Sequence, residues 1–103
     1  MSGANALRGE AAFRVEETWL VLRPSFAALV AAEAELGPLF ALVERAADGR
    51  LQLGELSGLF WHCVKDRPKG LTREAVGEAV VAQGLAAATP VLRALLGQIL
   101  SGR

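Results

Sequence analysis

Residues 25–37 have the sequence SFAALVAAEAELG, which predicts one amphipathic helix around which the rest of the chain is organised. Ser25 can accept a hydrogen bond from a first-turn N–H, and Gly37 can adopt the left-handed backbone that ends a helix. Alanines at 27, 28, 31, 32 and 34 keep the sides of this helix thin enough for close packing. The larger apolar side chains recur at helical spacing and predict a buried stripe made of Phe26, Leu29, Val30 and Leu36.

Glu33 is the charged residue of most interest on this helix. It follows Phe26 by seven residues, so it falls on or beside the apolar stripe. Two interpretations stay open. On a buried face the carboxylate would need a donor, such as Arg23, Arg45 or a helix N-terminus. At the edge of the stripe it would stay in water.

The segment before this helix, residues 10–23, alternates like a β-hairpin with its loop at Glu16-Glu17. This register places Arg14 opposite Trp19, and the outward face carries both of them together with Val21. The inward face, which we expect to cover the first helix, comprises Ala11, Phe13, Val15, Leu20 and Leu22. Both strands are edges, so the hairpin must pack on helices or gain strands from a neighbour.

Proline and glycine residues divide the remaining chain into further short helices. The second begins at Pro38 and ends at Asp48-Gly49, and the third covers residues 53–66. Thr72 caps the fourth helix, which ends at Gly84. The last helix has Thr89 as its cap and Pro90 as its first residue, or it starts earlier, at Ala86. Inward positions are Leu56, Leu59, Phe60, Cys63 and Val64 in the third helix and Val76, Ala79 and Val80 in the fourth. Gly54 and Gly58, inside the third helix, predict a close helix contact.

The predicted fold class is therefore α+β and mostly α: an N-terminal β-hairpin followed by four or five short helices packed as a compact bundle. Residues 1–8 are predicted to be a disordered tail, and residues 9–103 a single domain.

Composition narrows the possible partners. Apolar residues make up 52% of the 103 residues and charged residues 21%, so we expect apolar surface left over for a partner or another copy of the chain. A formal net charge of zero argues against binding to nucleic acid. The longest uncharged run, residues 79–92, is too short for a membrane span, and no signal peptide is predicted. Cys63 is the single cysteine, which agrees with a cytoplasmic location.

The sequence offers no catalytic or metal-binding set, so we expect neither an enzyme nor a cofactor. His62 and Cys63 are neighbours and would point about 100° apart on a helix. The stretch from Asp48-Gly49 to Glu55 resembles the second half of an EF-hand loop. The first half fails, because its second ligand position is Ala46. The basic side chains at Lys65, Arg67, Lys69 and Arg73 are interrupted by acids and lack interleaved aromatics, so we interpret them as a solvated loop.

The exposed or bulky side chains of the hairpin and the third helix are the candidates for contact with a partner. We predict a partner-binding role for Trp19, Val21, Phe60 and Trp61.

Several short motifs together resemble the gene-transfer-agent family of phage tail assembly chaperones. The resemblance begins at Gly9-Glu10, continues through Leu22-Arg23 and covers residues 9–101. Its further landmarks are Ala28-Leu29, Glu33, Leu36-Gly37, the Gly49 turn, the helix at 53–64 and the Gly84-Leu85 junction. Two features depart from the family pattern: the hairpin loop is not of the Asp-Gly type, and residues 60–63 (FWHC) are bulkier than usual.

The resemblance implies a binding protein encoded among the tail genes of a prophage or gene transfer agent. Such chaperones bind the long helical tape measure protein in the cytoplasm of the host bacterium and help to recruit tail tube subunits. The alternatives are a structural minor tail or connector protein of the particle and a degenerate EF-hand-like regulatory module. Self-association is also expected, and neither nucleic acid nor a membrane is an expected partner.

Overall fold

The computed structural model describes residues 10–102, and the tail predicted at residues 1–8 lies outside these residues. Within this range a two-stranded antiparallel hairpin precedes five helices, as predicted for an α+β, mostly α fold. The elements are β1 (Ala11–Val15), β2 (Thr18–Leu22), α1 (Phe26–Leu36), α2 (Leu39–Ala47), α3 (Leu53–Cys63), α4 (Arg73–Gln83) and α5 (Leu85–Ser101).

The hairpin has the predicted register, with Arg14 opposite Trp19. All five residues of its predicted inward face are buried: Ala11, Phe13, Val15, Leu20 and Leu22. We expected this face to cover α1, but it packs against other helices. Strand β1 packs against α4 and α5, and the Phe13 ring meets the Phe60 ring of α3 edge-on at 5.1 Å. Helix α1 packs mainly against α3 instead.

The outer edges of both strands are partly occupied by other parts of the chain. On β2, the Val21 carbonyl accepts a hydrogen bond from the Lys65 N–H at 2.8 Å, and the Arg23 N–H donates to the Cys63 carbonyl at 2.7 Å. On β1, the Gln83 side chain donates to the Arg14 carbonyl. The hairpin therefore satisfies backbone groups within the chain rather than by strand addition at these points.

The helix boundaries follow local capping chemistry in α1 and α4. Ser25 Oγ accepts from the Ala28 N–H at 3.2 Å, and Thr72 Oγ1 accepts from the Ala75 N–H at 3.1 Å. Gly37 ends α1 with a φ of 96°. These three positions were predicted from sequence.

Helix α5 begins earlier than both predicted starts, at Leu85, and includes Pro90. Thr89 is not its cap. The Thr89 hydroxyl instead donates to the Leu85 carbonyl at 2.8 Å, one turn back along the helix.

Helix α3 lies at the centre of the core. Its predicted inward residues Leu56, Leu59, Phe60 and Cys63 are buried, as are Val76, Ala79 and Val80 of α4. Val64 is buried as well, but it follows the helix, because α3 ends at Cys63 and not at residue 66 as predicted. Of its two glycines, only Gly58 fits the predicted close contact. A Cβ at Gly58 would lie 2.5 Å from the Arg73 guanidinium and 3.3 Å from Leu36, whereas Gly54 has open space.

No single helix among the described residues is long and apolar enough to cross a membrane. Two sharply bent pairs, α1 with α2 and α4 with α5, reach that length and composition only when taken together.

The hairpin loop carries backbone strain that a substitution can relieve. Glu16 has a φ of 56°, in the left-handed region that favours glycine, whereas Glu17 does not have a positive φ. We expect Glu16→Gly to raise the free energy of unfolding by about 0.5–1 kcal/mol, because the strained side chain is removed.

The matched variant Glu17→Gly should lower the free energy of unfolding, because it adds chain entropy without relieving strain. Urea denaturation of the two variants and the parent chain measures the difference. Equal effects of the two glycines would show that Glu16 is not strained.

Candidate partner-binding surface

The four residues predicted to bind a partner lie in different environments. Trp19 is exposed and Val21 half-buried on the outer hairpin face. Phe60 is 0% exposed and belongs to the core, so the structure does not support its assignment to a binding surface. Trp61 is half-buried, with the Arg67 guanidinium 3.8 Å from its ring centre. Arg67 also donates to the Trp61 carbonyl at 2.9 Å, so this ring already has a cationic partner in the chain.

Two of the four apolar side chains in the predicted buried stripe of α1 face outward. Phe26 is 86% exposed and Val30 is also exposed, whereas Ala32 is fully buried. Ala28 and Leu36 pack against the core on the same side as Ala32. The prediction of a buried stripe was therefore wrong for Phe26 and Val30, whereas Leu36 of the same stripe packs against the core and Leu29 is half-buried. The side of the helix that packs against the core carries the small residues Ala28 and Ala32 together with Leu36, and the two alanines permit a close approach to α3.

A cluster around Glu35 explains this orientation of α1. Arg73 of α4 donates to Glu35 Oε1 at 2.5 Å, and Nε2 of His62 on α3 lies 2.7 Å from the same oxygen. Glu35 follows Phe26 by nine residues, which is about 180° around a helix. Since the carboxylate is held towards α3 and α4, Phe26 must point away from them.

The same contacts shift the titration of the cluster. The hydrogen bond from Arg73, followed by that from His62, lowers the pKa of Glu35 from 4.5 to about 2. Glu35 in turn raises the pKa of Arg73. Glu35 and Arg73 are therefore both ionised at neutral pH and form an ion pair.

Glu33 connects the exposed side of α1 to α2. Its Oε2 accepts a hydrogen bond from the Leu39 N–H at 2.9 Å, so the exposed carboxylate caps the start of α2. This combines the two interpretations left open by the sequence, because Glu33 is in water and also bonded to a helix N-terminus. Phe40, the next residue after Leu39, is 83% exposed.

We call the resulting surface the α1 face. Its members are all exposed and lie on one side of α1 or at the adjoining start of α2: Phe26, Ala27, Val30, Ala31, Ala34 and Phe40. The periodicity of the sequence identifies these residues as apolar, but it does not show that they face outward.

A groove of about 490 Å³ adjoins the α1 face. Alanines 27, 28 and 31 line one side, and residues 61–67 line the other. Three cationic residues, Arg23, Lys65 and Arg67, lie along it beside one acidic residue, Asp66. Beneath two of these cations, the buried Glu10 carboxylate lies 3.6 Å from Lys65 Nζ and 4.0 Å from Arg23 Nε. This carboxylate holds Arg23 and Lys65 at the border of the groove.

The remaining chemical candidates are engaged in structural contacts. The Cys63 thiol is buried, and burial raises its pKa to about 12, so it is not a reactive nucleophile. In the EF-hand-like segment, Glu55 pairs with Arg45 and accepts from the Gln52 N–H at 3.0 Å. Among residues 10–102 there is no group of three or more His, Cys, Asp or Glu side chains placed to hold a metal ion.

Comparison with known proteins gives one family. A family model described as phage tail tube protein, GTA-gp10, matches residues 8–102, nearly the whole chain. No curated protein and no solved structure matches.

The Glu35 cluster predicts a specific acid sensitivity. Because the pKa of Glu35 is about 2 in the folded chain and 4.5 as a free side chain, its contribution to stability is complete above pH 4.5. This contribution is lost as the pH falls towards 2. We expect Glu35→Gln to be less stable than the parent chain at pH 6 and to approach it near pH 2.

Urea denaturation at a series of pH values measures this difference. Glu17→Gln, in the exposed hairpin loop, is the matched control, and its difference from the parent should not follow this pattern. A Glu35→Gln effect that is the same at pH 2 and pH 6 would contradict the cluster.

Proposed function

The chain belongs to the family described as phage tail tube protein, GTA-gp10. We propose that within this family it acts as a non-enzymatic tail assembly chaperone. It is a phage or gene-transfer-agent tail protein, and in this proposal it binds the tape measure protein before the tail tube assembles around it. The proposed place of action is the cytoplasm of the host bacterium, and tail tube subunits are a further proposed partner.

The observation that supports this proposal is the exposure of the α1 face. Two phenylalanines, Phe26 and Phe40, are more than four-fifths exposed in a chain of 103 residues. Fully burying one such side chain contributes about 1.5–3 kcal/mol. A partner that covers both can therefore gain several kcal/mol without any change in the core.

The shape of this surface favours a helical partner. The exposed alanines of α1 let another helix approach closely, and the adjoining groove accepts side chains beside Trp61. A long helical polypeptide such as a tape measure protein can repeat the same contact along its length. Trp19 and Val21, on the outer hairpin face, remain proposed contacts of secondary importance.

A second candidate is a structural subunit of the tail, which the description of the family as a tail tube protein favours. Such a subunit would associate with copies of itself and with other tail components. Strand addition is hindered at Val21 and Arg14, whose outward carbonyls are already bonded within the chain. Subunit contacts would therefore use the helical faces. Quantifying this protein in purified particles distinguishes the two candidates, because a chaperone is absent from the finished tail.

Co-expression with the tape measure protein encoded by the same tail gene cluster tests the chaperone proposal. We expect the two proteins to co-purify and the tape measure protein to become more soluble. Phe26→Ser and Phe40→Ser should each reduce the affinity about tenfold or more, since each removes an apolar anchor.

Leu100→Ser is the matched control, because Leu100 is 62% exposed but lies at the end of α5. It should leave binding unchanged. All three variants should melt like the parent chain, since the substituted side chains are exposed. If the parent chain forms no complex, or if Leu100→Ser impairs binding as much as Phe26→Ser, the proposal fails.

A further inference from the structure

A second groove lies between α3 and α4 and shares no residue with the α1 face or its adjoining groove. It has a volume of about 570 Å³ and is bordered by Leu53, Ser57, Glu74, Gly77, Glu78 and Val81. We call it the α3–α4 groove. We infer that it is a docking site for an amphipathic helix of another protein that carries Lys or Arg side chains one turn apart.

The bottom of this groove is made by small residues. A Cβ added at Gly77 would lie 3.4 Å from Ser57 Oγ, so α3 and α4 approach closely at this point. Leu53 and Val81 rise on either side, and Val81 is 62% exposed. The result is a shallow apolar channel lined by one turn of α3 and about two turns of α4, or about 12 Å of helix at its longest. A partner helix needs about two turns to cover this length.

The charge along the groove is acidic. Glu74 and Glu78 are four residues apart on α4, so their side chains neighbour each other. The groove has no Lys or Arg among its lining residues, and within residues 10–102 neither glutamate forms an ion pair. Glu35 and Glu55, in contrast, are each paired with an arginine of the chain.

Two neighbouring carboxylates repel each other on the same helix face. Cationic side chains of a partner, spaced one turn apart, would relieve this repulsion while apolar side chains cover Leu53 and Val81. Charge complementarity therefore selects a basic amphipathic helix over an acidic one. This inference concerns a different surface from that of the proposed function and does not depend on it.

Two designed peptides of about 15 residues test this inference with the full chain. Both have the same Leu and Ala stripe, but one carries Lys and the other Glu at two positions four residues apart. At low salt we expect the Lys peptide to bind about fivefold more tightly, since each exposed ion pair contributes modestly. NMR chemical-shift changes should centre on Leu53, Gly77 and Val81.

Glu78→Lys should remove or reverse the preference for the Lys peptide, while Glu44→Lys, at an exposed carboxylate on α2, should preserve it. Val81→Ser should weaken binding of the Lys peptide, and its exposed position keeps the fold intact. Four outcomes overturn the inference: no binding of either peptide, equal binding of both, shift changes confined to the α1 face, and parent-chain self-association that Val81→Ser abolishes. The last would identify a second copy as the occupant.

Discussion

The orientation of α1 is the constraint on which the functional surface depends, and the Glu35 carboxylate sets it. His62 and Arg73 hold this carboxylate from α3 and α4, so the side of α1 opposite Glu35 must face water. Phe26 lies on that opposite side. Packing alone does not oppose this arrangement strongly, because Ala32 is fully buried and Ala28 and Leu36 also pack against the core on this side. The Glu35 contacts and the packing of Ala32 and Leu36 against the core thus together fix which apolar side chains remain available to a partner.

The sequence correctly predicted the elements in which the apolar pattern allows only one choice of buried face. Strict alternation assigned every inward residue of the hairpin, and its register followed from the two-residue loop at Glu16-Glu17. The direction of α1 could not be predicted in the same way, because the helix is apolar on nearly every side and both orientations bury small or large apolar groups. The contacts that decide between the two orientations join Glu35 to His62 and Arg73, which lie 27 and 38 positions later in the chain. Local periodicity carries no information about such contacts.

The candidate site was predicted less well than the fold for a related reason. Large aromatic side chains suggest either a core or an interface, and only the tertiary neighbours distinguish the two. Phe60 meets Phe13 in the core, and Trp61 lies beside the Arg67 guanidinium, although their positions in sequence are adjacent. Phe40 follows Leu39, whose N–H donates to Glu33 at the start of α2. No sequence pattern identified Phe40 as an exposed residue. The exposed phenylalanines became visible as a surface only through the packing of α1 and α2.

A net charge of zero conceals an uneven distribution of charge around the two apolar surfaces. The groove beside the α1 face is bordered by Arg23, Lys65 and Arg67, whereas the α3–α4 groove is bordered by Glu74 and Glu78. Over distances shorter than the Debye length, about 8 Å at physiological salt, a partner experiences these local charges rather than their sum. Apolar area gives both surfaces affinity, and the opposite signs give them different preferences. The two proposed sites therefore differ in the charge of the helix that each would prefer.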